Sequence, residues 1–225
     1  MGEELTIKLR LYEEGPARFY ASPIEPGEEP SSSMPVFYNP AMKVNRDLAV
    51  AVYRAAGGGT AADVMAASGV RVIRLVLEGG CAEALANDRS PMAYLAMRMS
   101  FRESGVMDRV RLTMRDANLL MEELGASGAR VDYLDLDPYG SPAPFLRSAV
   151  GAVRRGGVLA VTATDTAVLF GVYPHKTLRA YWAWGVKTDF MKELGARVLL
   201  GFIARVAASR DLWVEPLIYH ATRHY

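Results

Sequence analysis

The sequence is poor in the residues that build disulfide bridges and metal sites. It has one cysteine, Cys81, and three histidines among 225 residues. A single cysteine excludes an intramolecular disulfide framework and a zinc site made of several cysteines. The histidines form no triad or metal-binding pattern with other residues, so we expect neither hydrolytic chemistry nor a metal.

Long hydrophobic runs are absent as well. No apolar run comes near the roughly 18 residues that a transmembrane helix needs. The N-terminus, MGEELTIKLRLYEEG, lacks the basic and then apolar pattern of a secretion signal. We therefore predict a cytoplasmic protein without a membrane partner.

Neither sign of charge predominates, since 26 Lys and Arg balance 25 Asp and Glu to a net charge of +1. This excludes a histone-like polycation but not a nucleic acid partner, because the placement of charges matters more than their sum. With 51% hydrophobic residues, the length fits one globular domain, or one domain and an appendage.

The first 35 residues are predicted to form a β-hairpin and a flexible loop. Residues 5–11 and 17–22 are rich in β-forming residues and flank the turn-forming EEGP. Residues 22–35 hold four prolines and four serines, which is typical of a loop, and a mobile lid is one interpretation of it. A helix is predicted from about Asn45, as its N-cap, to Ala56.

From residue 60 onwards, short apolar strands alternate with helices. This alternation predicts an α/β fold with a mostly parallel sheet and helices on both faces. Ser90 and Ser141, each followed by proline, are predicted helix caps, as is Thr188. The predicted strands are 60–67, 82–88, 108–116, 129–137 and 157–165, the predicted helices are 68–80, 90–105, 117–128, 141–157 and 188–210, and residues 211–225 are β-rich.

Such sheets bind ligands beyond the carboxyl ends of their strands, so the segments that follow the strands are the candidates for a binding site. The first strand leads into small residues and a helix start that offers N–H groups to an anion. Asp88 follows the second strand, where carboxylates commonly bind ribose hydroxyls, and Asp116 follows the third, where an adenine amino group would fit. Taken singly, each is better explained as a helix cap. Their positions after successive strands favour a nucleotide-like ligand, although the glycine motif GxGxxG of dinucleotide-binding proteins is missing.

The most specific motif is Asp137-Pro138-Tyr139, directly after the fourth strand. Methylation of an exocyclic amine needs acceptors for the hydrogens of the amine, because its lone pair is delocalised into the base. It also needs an aromatic face that holds the base flat by stacking. The carboxylate of Asp137, a carbonyl near Pro138 and the ring of Tyr139 supply this set, and proline preorganises the turn. A plain proline turn before the next helix is the simpler alternative.

The motifs together resemble those of the tRNA (guanine(26)-N(2))-dimethyltransferase family, archaeal type. Members have the class I S-adenosylmethionine-dependent methyltransferase fold, which is Rossmann-like. Tyr139 stands where the family usually has Phe, and its ring still stacks. The matching segments are 36–40, 45–48, 67–71, 73–74, 87–88, 116–118, 137–142, 162–165, 171–174 and 219–225.

The resemblance implies roles for individual residues. Arg46 and Arg71 would bind the methionine carboxylate of S-adenosylmethionine, a charge-assisted contact that suits guanidinium. By the same resemblance, Asp88 would bind the ribose and Asp116 with Ala117 the adenine. Taken alone, Arg46 fits a salt bridge to a neighbouring acid such as Asp47.

For the substrate, the resemblance makes Asp137 the catalytic carboxylate, with Pro138 and Tyr139 completing the catalytic motif. Tyr139 would stack on the guanine, and Phe37 would lie near the target pocket. Taken alone, Phe37 fits plain core packing.

The resemblance implies methylation of the 2-amino group of guanine 26 in tRNA, once or twice, by a monomeric tRNA-binding enzyme. Alternatives are another RNA or DNA exocyclic-amine methyltransferase and a non-catalytic RNA-binding domain. A nicotinamide oxidoreductase is disfavoured by the missing glycine fingerprint. Residues 1–35 would form the hairpin and loop and residues 36–225 the catalytic domain, with the family's C-terminal domain absent.

Overall fold

A computed structural model describes residues 8–25 and 27–221. Its first element is an antiparallel hairpin of β1 (Arg10–Glu14) and β2 (Ala17–Ala21). The predicted hairpin is confirmed, but its first strand lies later than predicted, and the predicted residues 5–7 fall outside the described residues. After the hairpin, residues 22–25 and 27–39 form neither helix nor strand, as expected for a loop.

The second sheet has five strands, and all neighbouring pairs are parallel. Its strand order is β5-β4-β3-β6-β7, so the chain winds outwards in both directions from β3. This confirms the predicted doubly wound sheet. The strands are β3 (Ala61–Asp63), β4 (Ala84–Asn87), β5 (Val110–Thr113), β6 (Val131–Leu136) and β7 (Val153–Val161).

Helices cover both faces of this sheet. Successive residues of a strand point into different cores. Ala61 and Tyr133 pack on the side of the hairpin. The residues that follow them in their strands, Ala62 and Leu134, pack on the opposite side. The helices are α1 (Lys43–Ala55), α2 (Val70–Leu77), α3 (Pro91–Glu103), α4 (Ala117–Ser127), α5 (Leu146–Ala152), α6 (Thr166–Leu169), α7 (Pro174–Tyr181) and α8 (Met191–Ala208).

The hairpin packs into the same core as the helices of its side. Phe19 of β2 is fully buried in a cluster that includes Phe101 of α3 and Val72 of α2. Backbone N–H groups of β2 also bond to α3, with Tyr20 N donating to Ser100 Oγ at 2.9 Å. The division into domains at residue 35 remains a prediction, because this packing does not by itself define a domain boundary.

Two predicted caps are wrong. Asn45 lies inside α1, because a 3-10 helix at Pro40–Met42, capped by the side chain of Asn39, starts the helical segment earlier. Thr188 does not cap α8, which begins three residues later at Met191. Ser90 is confirmed as the cap of α3, since its Oγ accepts a hydrogen bond from Ala93 N at 3.4 Å.

The region around β7 differs most from the prediction. The helix predicted over 141–157 ends at Ala152, because Val153 pairs with Val131 and extends β7 by four residues at its start. Ser141 Oγ accepts from Ala143 N at the start of a 3-10 helix, Ala143–Phe145, that precedes α5. Helices α6 and α7 were not predicted, and residues 211–221 form no strand despite their β-rich sequence.

No helix within residues 8–25 and 27–221 has the length and apolar character to cross a membrane.

Candidate active site

A cavity of about 680 Å³ opens beyond the carboxyl ends of the central parallel strands. Its position is the one expected for a ligand site in a doubly wound sheet. Residues 30–42 contribute to its rim, so the proline-rich loop lies against it. All the site residues predicted from the sequence line this one cavity: Phe37, Arg46, Arg71, Asp88, Asp116, Ala117, Asp137, Pro138 and Tyr139.

The loop after β3 brings backbone close to the cavity. Ala67 has a φ of +47°, an uncommon conformation for a residue with a side chain. At Gly69, with a φ of +77°, a Cβ atom would lie 2.7 Å from the ring of Phe101. A close approach of the loop to α3 therefore requires glycine here, and this packing holds the small residues of the loop at the cavity wall.

The helix-cap alternative is confirmed for Asp116 but not for Asp88, since Ser90 caps α3, and both acids face the cavity. The carboxylate of Asp88 accepts from Ala67 N at 3.0 Å and from Ser90 N at 2.9 Å. Asp116 caps α4 by accepting from Leu119 N at 3.1 Å. Because a carboxylate has about four acceptor sites, both side chains keep the capacity to accept hydrogen bonds from a ligand.

Asp137 at the end of β6 is joined to Arg71 of α2. Nη2 of Arg71 lies 2.9 Å from Oδ2 of Asp137, whose side chain is 21% exposed. Nη1 of Arg71 donates to Asn45 Oδ1 at 2.7 Å. Burial raises the pKa of the Asp137 carboxyl, and Arg71 opposes this effect by favouring the charged form. Oδ1 of Asp137 takes no part in the contact with Arg71.

Two further carboxylates surround the same guanidinium. Asp135 lies 3.3 Å and Asp63 3.9 Å from Arg71, and both are almost fully buried. Burial, with the charge of nearby acids, raises the pKa of Asp135 to about 6 and that of Asp63 well above its ordinary value. We call these four residues, Asp63, Asp135, Asp137 and Arg71, the carboxylate floor. Within the floor, the single positive charge of Arg71 faces three carboxyl groups.

The opposite charge balance occurs around Glu14 of the hairpin. Its carboxylate accepts from Arg46 at 2.7 and 2.5 Å, from Arg74 at 2.9 Å and from Tyr38 at 3.1 Å. Burial alone would raise the pKa of Glu14, but the two arginines outweigh it and the pKa is lowered. We call Glu14, Arg46, Arg74 and Tyr38 the Glu14 cluster. Of its two arginines, only Arg46 lines the cavity.

The salt bridge suggested for Arg46 by its neighbours in sequence is not formed. Asp47 pairs instead with Lys43 at 2.9 Å and with Arg74 at 2.6 Å. The bonds from Arg46 to Glu14 use Nε and Nη2, and a further bond from Nη2 reaches Asn39 O at 3.1 Å. None of these bonds uses Nη1.

The loop that follows Asp137 is hydrogen-bonded to the segment that follows β7. Gly140 N donates to Thr164 Oγ1 at 2.7 Å, and Thr164 N donates to Gly140 O at 3.0 Å. Tyr139 is 58% exposed and its ring meets that of Phe37 edge to face at 5.1 Å. An open aromatic face thus stands beside the carboxylate of Asp137, as flat-base binding requires.

Sequence reasoning missed several residues of this site. Asp135 had a signal, because the two-residue period of β6 places Tyr133, Asp135 and Asp137 on one face. Glu14 had none, since it lies 32 residues from Arg46 in the sequence. Despite the three carboxylates of the floor, no group of acidic, histidine or cysteine side chains in the described part of the chain is arranged to hold a metal ion.

The sheet order and the cavity at its carboxyl edge define the class I methyltransferase fold. A putative S-adenosylmethionine-dependent methyltransferase from Streptococcus mutans shares this fold at 10% identity, with a TM-score of 0.58 over 80% of this chain and 48% of its own. Complexed with S-adenosyl-L-methionine, Trm1 from Pyrococcus horikoshii is much closer, with a TM-score of 0.82 and 34% identity over 96% of this chain and 59% of its own.

The chain belongs to the N2,N2-dimethylguanosine tRNA methyltransferase family, whose model matches residues 21–225. It is 44% identical to a tRNA (guanine(26)-N(2))-dimethyltransferase of Pyrobaculum neutrophilum, over 97% of this chain and 61% of the relative. It is 38% identical to a tRNA (guanine(26)-N(2)/guanine(27)-N(2))-dimethyltransferase of Aquifex aeolicus, over 96% of this chain and 56% of the relative. The chain thus spans about three fifths of the length of these relatives.

Proposed function

We propose that the protein transfers methyl groups from S-adenosylmethionine to the 2-amino group of guanine 26 in tRNA. One transfer gives the monomethylated base and a second gives the dimethylated base. The observation that carries the proposal is the pairing of a cavity-lining carboxylate, Asp137, with an open aromatic face, Tyr139. The named activity of relatives at about 40% identity supports it.

The residues of the cavity fit the cofactor by the chemistry of their donors and acceptors. Asp88 and Asp116 keep acceptor capacity for ribose hydroxyls and for an adenine amino group, and Ala117 would border the adenine. Arg46 would meet the methionine carboxylate through Nη1, which its bonds to Glu14 leave aside. Arg71 would contribute as a second positive charge, although the carboxylate floor already surrounds its guanidinium.

When bound, the cofactor supplies an electrophilic methyl group, and the chain positions the amine that attacks it. Oδ1 of Asp137 would accept a hydrogen of the 2-amino group and hold the proton that the nitrogen loses on methylation. Arg71 keeps this carboxylate in place through Oδ2. Burial raises the pKa of Asp137, which makes the carboxylate a better proton acceptor.

A guanine within a folded tRNA must leave its stack to reach the cavity, which costs roughly a few kcal/mol. The ring of Tyr139 would repay part of this cost by stacking, and Phe37 would support that ring from its edge. The clamp between Gly140 and Thr164 holds the Tyr139 loop in place beforehand. Preorganisation of this kind lowers the entropic cost of positioning the base.

The test is mass spectrometry of nucleosides after incubation of an unmodified tRNA pool with the protein and S-adenosylmethionine. We expect N2-methylguanosine and N2,N2-dimethylguanosine, mapped to position 26. The variant D137N, which keeps the shape of the side chain, should give neither product and should bind the cofactor nearly as well in calorimetry. A normal rate of methylation by D137N would overturn the mechanism.

A second candidate position is guanine 27, because the Aquifex aeolicus relative is named for both positions. Mapping of the modified residue in the same experiment separates the two. Methylation of adenine or of DNA would point to another exocyclic-amine methyltransferase, and failure to bind S-adenosylmethionine would point to a non-catalytic RNA-binding domain. We also propose a cytoplasmic monomer, and sedimentation of the purified protein tests its oligomeric state.

A further inference from the structure

A basic and aromatic surface lies outside the cavity, on α7 and the loop that follows it. We call residues 172–192 the α7 surface. It holds four cations, Lys176, Arg179, Lys187 and Lys192, against one acid, Asp189, and all five side chains are exposed. Because the whole chain has a net charge of only +1, this surface is a local concentration of positive charge.

Exposed aromatic rings stand between these cations. Tyr173, Trp182, Trp184 and Phe190 are each about half exposed or more. The ammonium group of Lys176 lies 4.8 Å from the centre of the Tyr173 ring. The rings of His175 and Trp184 meet edge to face at 5.1 Å, which supports the Trp184 ring from the side.

The α7 surface is firmly attached to the Asp-Pro-Tyr loop of the active site. The hydroxyl of Tyr181, the last residue of α7, contacts Ser141 Oγ at 2.8 Å and Asp165 Oδ1 at 2.8 Å. Ser141 is two residues from Tyr139 in the sequence. Helix α7 also packs on the 3-10 helix Ala143–Phe145, and Phe145 lines the cavity. The surface therefore has a defined position one layer away from the target site.

The loop within this surface is held in one shape by close backbone contacts. Gly171 has a φ of +77°, and a Cβ atom there would lie 2.4 Å from the backbone of Val186. Thr177 Oγ1 donates to Val168 O at 2.6 Å. The cations and rings are thus presented on a preformed scaffold, which reduces the entropy lost on binding.

We propose that the α7 surface binds the RNA strand next to the target guanine, with its cations on phosphates and the exposed Trp184 ring on an unpaired base. Cations interleaved with flat rings are the combination by which proteins bind unpaired nucleic acid. The inference rests on the proposed function, since it assigns a contact of the tRNA substrate to that function.

The charge part of the proposal is tested with the double variant K176A/R179A. Its matched control is R98A/R111A, which removes two exposed cations from α3 and β5, at the other edge of the sheet. Binding of unmodified tRNA transcript is measured as a function of salt, starting at low ionic strength. We expect K176A/R179A to raise Kd about tenfold and to lower the salt slope by about 1.5, because two phosphate contacts are lost. The control should stay within about twofold.

The stacking part is tested with W184A against L95A, which removes an apolar side chain of α3 that is also about half exposed. Loss of one stacked base should raise Kd for the transcript by roughly 5-fold to 100-fold, with no change in salt slope. Leu95→Ala should leave Kd unchanged. Calorimetry with S-adenosylmethionine should give wild-type affinity for every variant, which shows that each is folded.

Three outcomes would overturn the proposal. If K176A/R179A and its control weakened binding equally, the α7 surface would not be the RNA-binding surface. The proposal would also fail if the wild-type protein bound no transcript at low salt. A change in self-association without a change in RNA binding would make the surface a protein contact. If the wild type binds transcript through this surface but forms no methylated guanosine, the proposed function fails while the RNA contact stands.

Discussion

The carboxylate floor and the Glu14 cluster use the same residue types with opposite charge balance. In the floor, one guanidinium, Arg71, lies among three carboxylates. In the Glu14 cluster, one buried carboxylate lies between two guanidinium groups. The pKa of Asp135 is consequently raised, whereas the pKa of Glu14 is lowered.

The difference separates a site that can hold a proton near neutral pH from one that holds a permanent charge. A carboxyl with a raised pKa would suit the proposed proton transfer, and Asp137, the member of the floor to which that role is assigned, also has a raised pKa. The Glu14 cluster instead holds the guanidinium of Arg46 in a fixed orientation at the cavity wall. The carboxyl groups of both regions have little solvent exposure, and the number of guanidinium partners contributes to these opposite outcomes.

The largest expected effect concerns the Glu14 cluster. In E14A, Arg46 and Arg74 lose their shared buried partner, and an uncompensated buried charge costs about 3–5 kcal/mol. Urea denaturation should show this loss in the free energy of unfolding. The control E78A removes a partner of Arg74 that is 27% exposed and should cost about 1 kcal/mol or less. Equal losses would contradict the central place given to Glu14.

The pH dependence of stability should differ in sign between the two regions. The pKa of Asp135 is about 6 in the folded protein against an ordinary value of 3.8, so the folded state binds the extra proton between these pH values. Stability from this group is therefore lost as the pH rises through about 6. The loss is on the order of a few kcal/mol.

Denaturation of wild type and D135N from pH 4 to pH 7 measures this effect. The advantage of the wild type over D135N should shrink as the pH rises. For E14Q the sign is opposite, because a lowered pKa gives stability that is lost only as the pH falls below the ordinary value of 4.5. If the stabilities of D135N and E14Q, each relative to the wild type, changed with pH in the same direction, the contrast between the two regions would be wrong.

A smaller effect distinguishes the two arginines of the Glu14 cluster. Both bond to Glu14, but Arg46 lines the cavity and Arg74 does not. Replacement of arginine by lysine keeps the charge and removes the planar fork of donors. R46K should therefore raise Kd for S-adenosylmethionine about tenfold in calorimetry, and R74K should change it less than about twofold. Equal shifts would show that Arg46 acts only through the fold.

The smallest effect is expected for Y139F, because the ring of Tyr139 rather than its hydroxyl is assigned a role. Y139F keeps the stacking face and should methylate tRNA within about threefold of the wild-type rate. Y139A removes the face and should lower the rate by roughly 5-fold to 100-fold, the worth of one stacked base. Initial rates on the same transcript measure both. A large loss in Y139F would assign a role to the hydroxyl.

Much of the site was predictable because a parallel sheet gathers the ends of its strands at one edge. Asp88, Asp116 and Asp137 each follow a strand, so their convergence follows from the alternation of strands and helices. Glu14 was not predictable, because it reaches Arg46 and Arg74 across 32 and 60 residues of chain. No local pattern marks such a contact.

The errors in the fold have a related cause. Local signals suggested a helix through residue 157, but Val153 finds a partner in Val131 at the edge of the sheet and becomes a strand. The same limit applies to residues 211–221, whose β-rich composition meets no strand partner in the described part of the chain. Strand formation depends on such a partner, which composition alone does not reveal.

The order of apolar strands and helices was thus enough to define the parallel sheet, its carboxyl edge and the Asp-Pro-Tyr motif placed there. Local periodicity carries this information, because it decides which residues can be buried. The protonation of the acids was decided in three dimensions. Asp135 and Glu14 are both buried carboxyls, and their pKa values diverge in part because Asp135 shares one guanidinium with two other acids, whereas two guanidinium groups bond directly to Glu14.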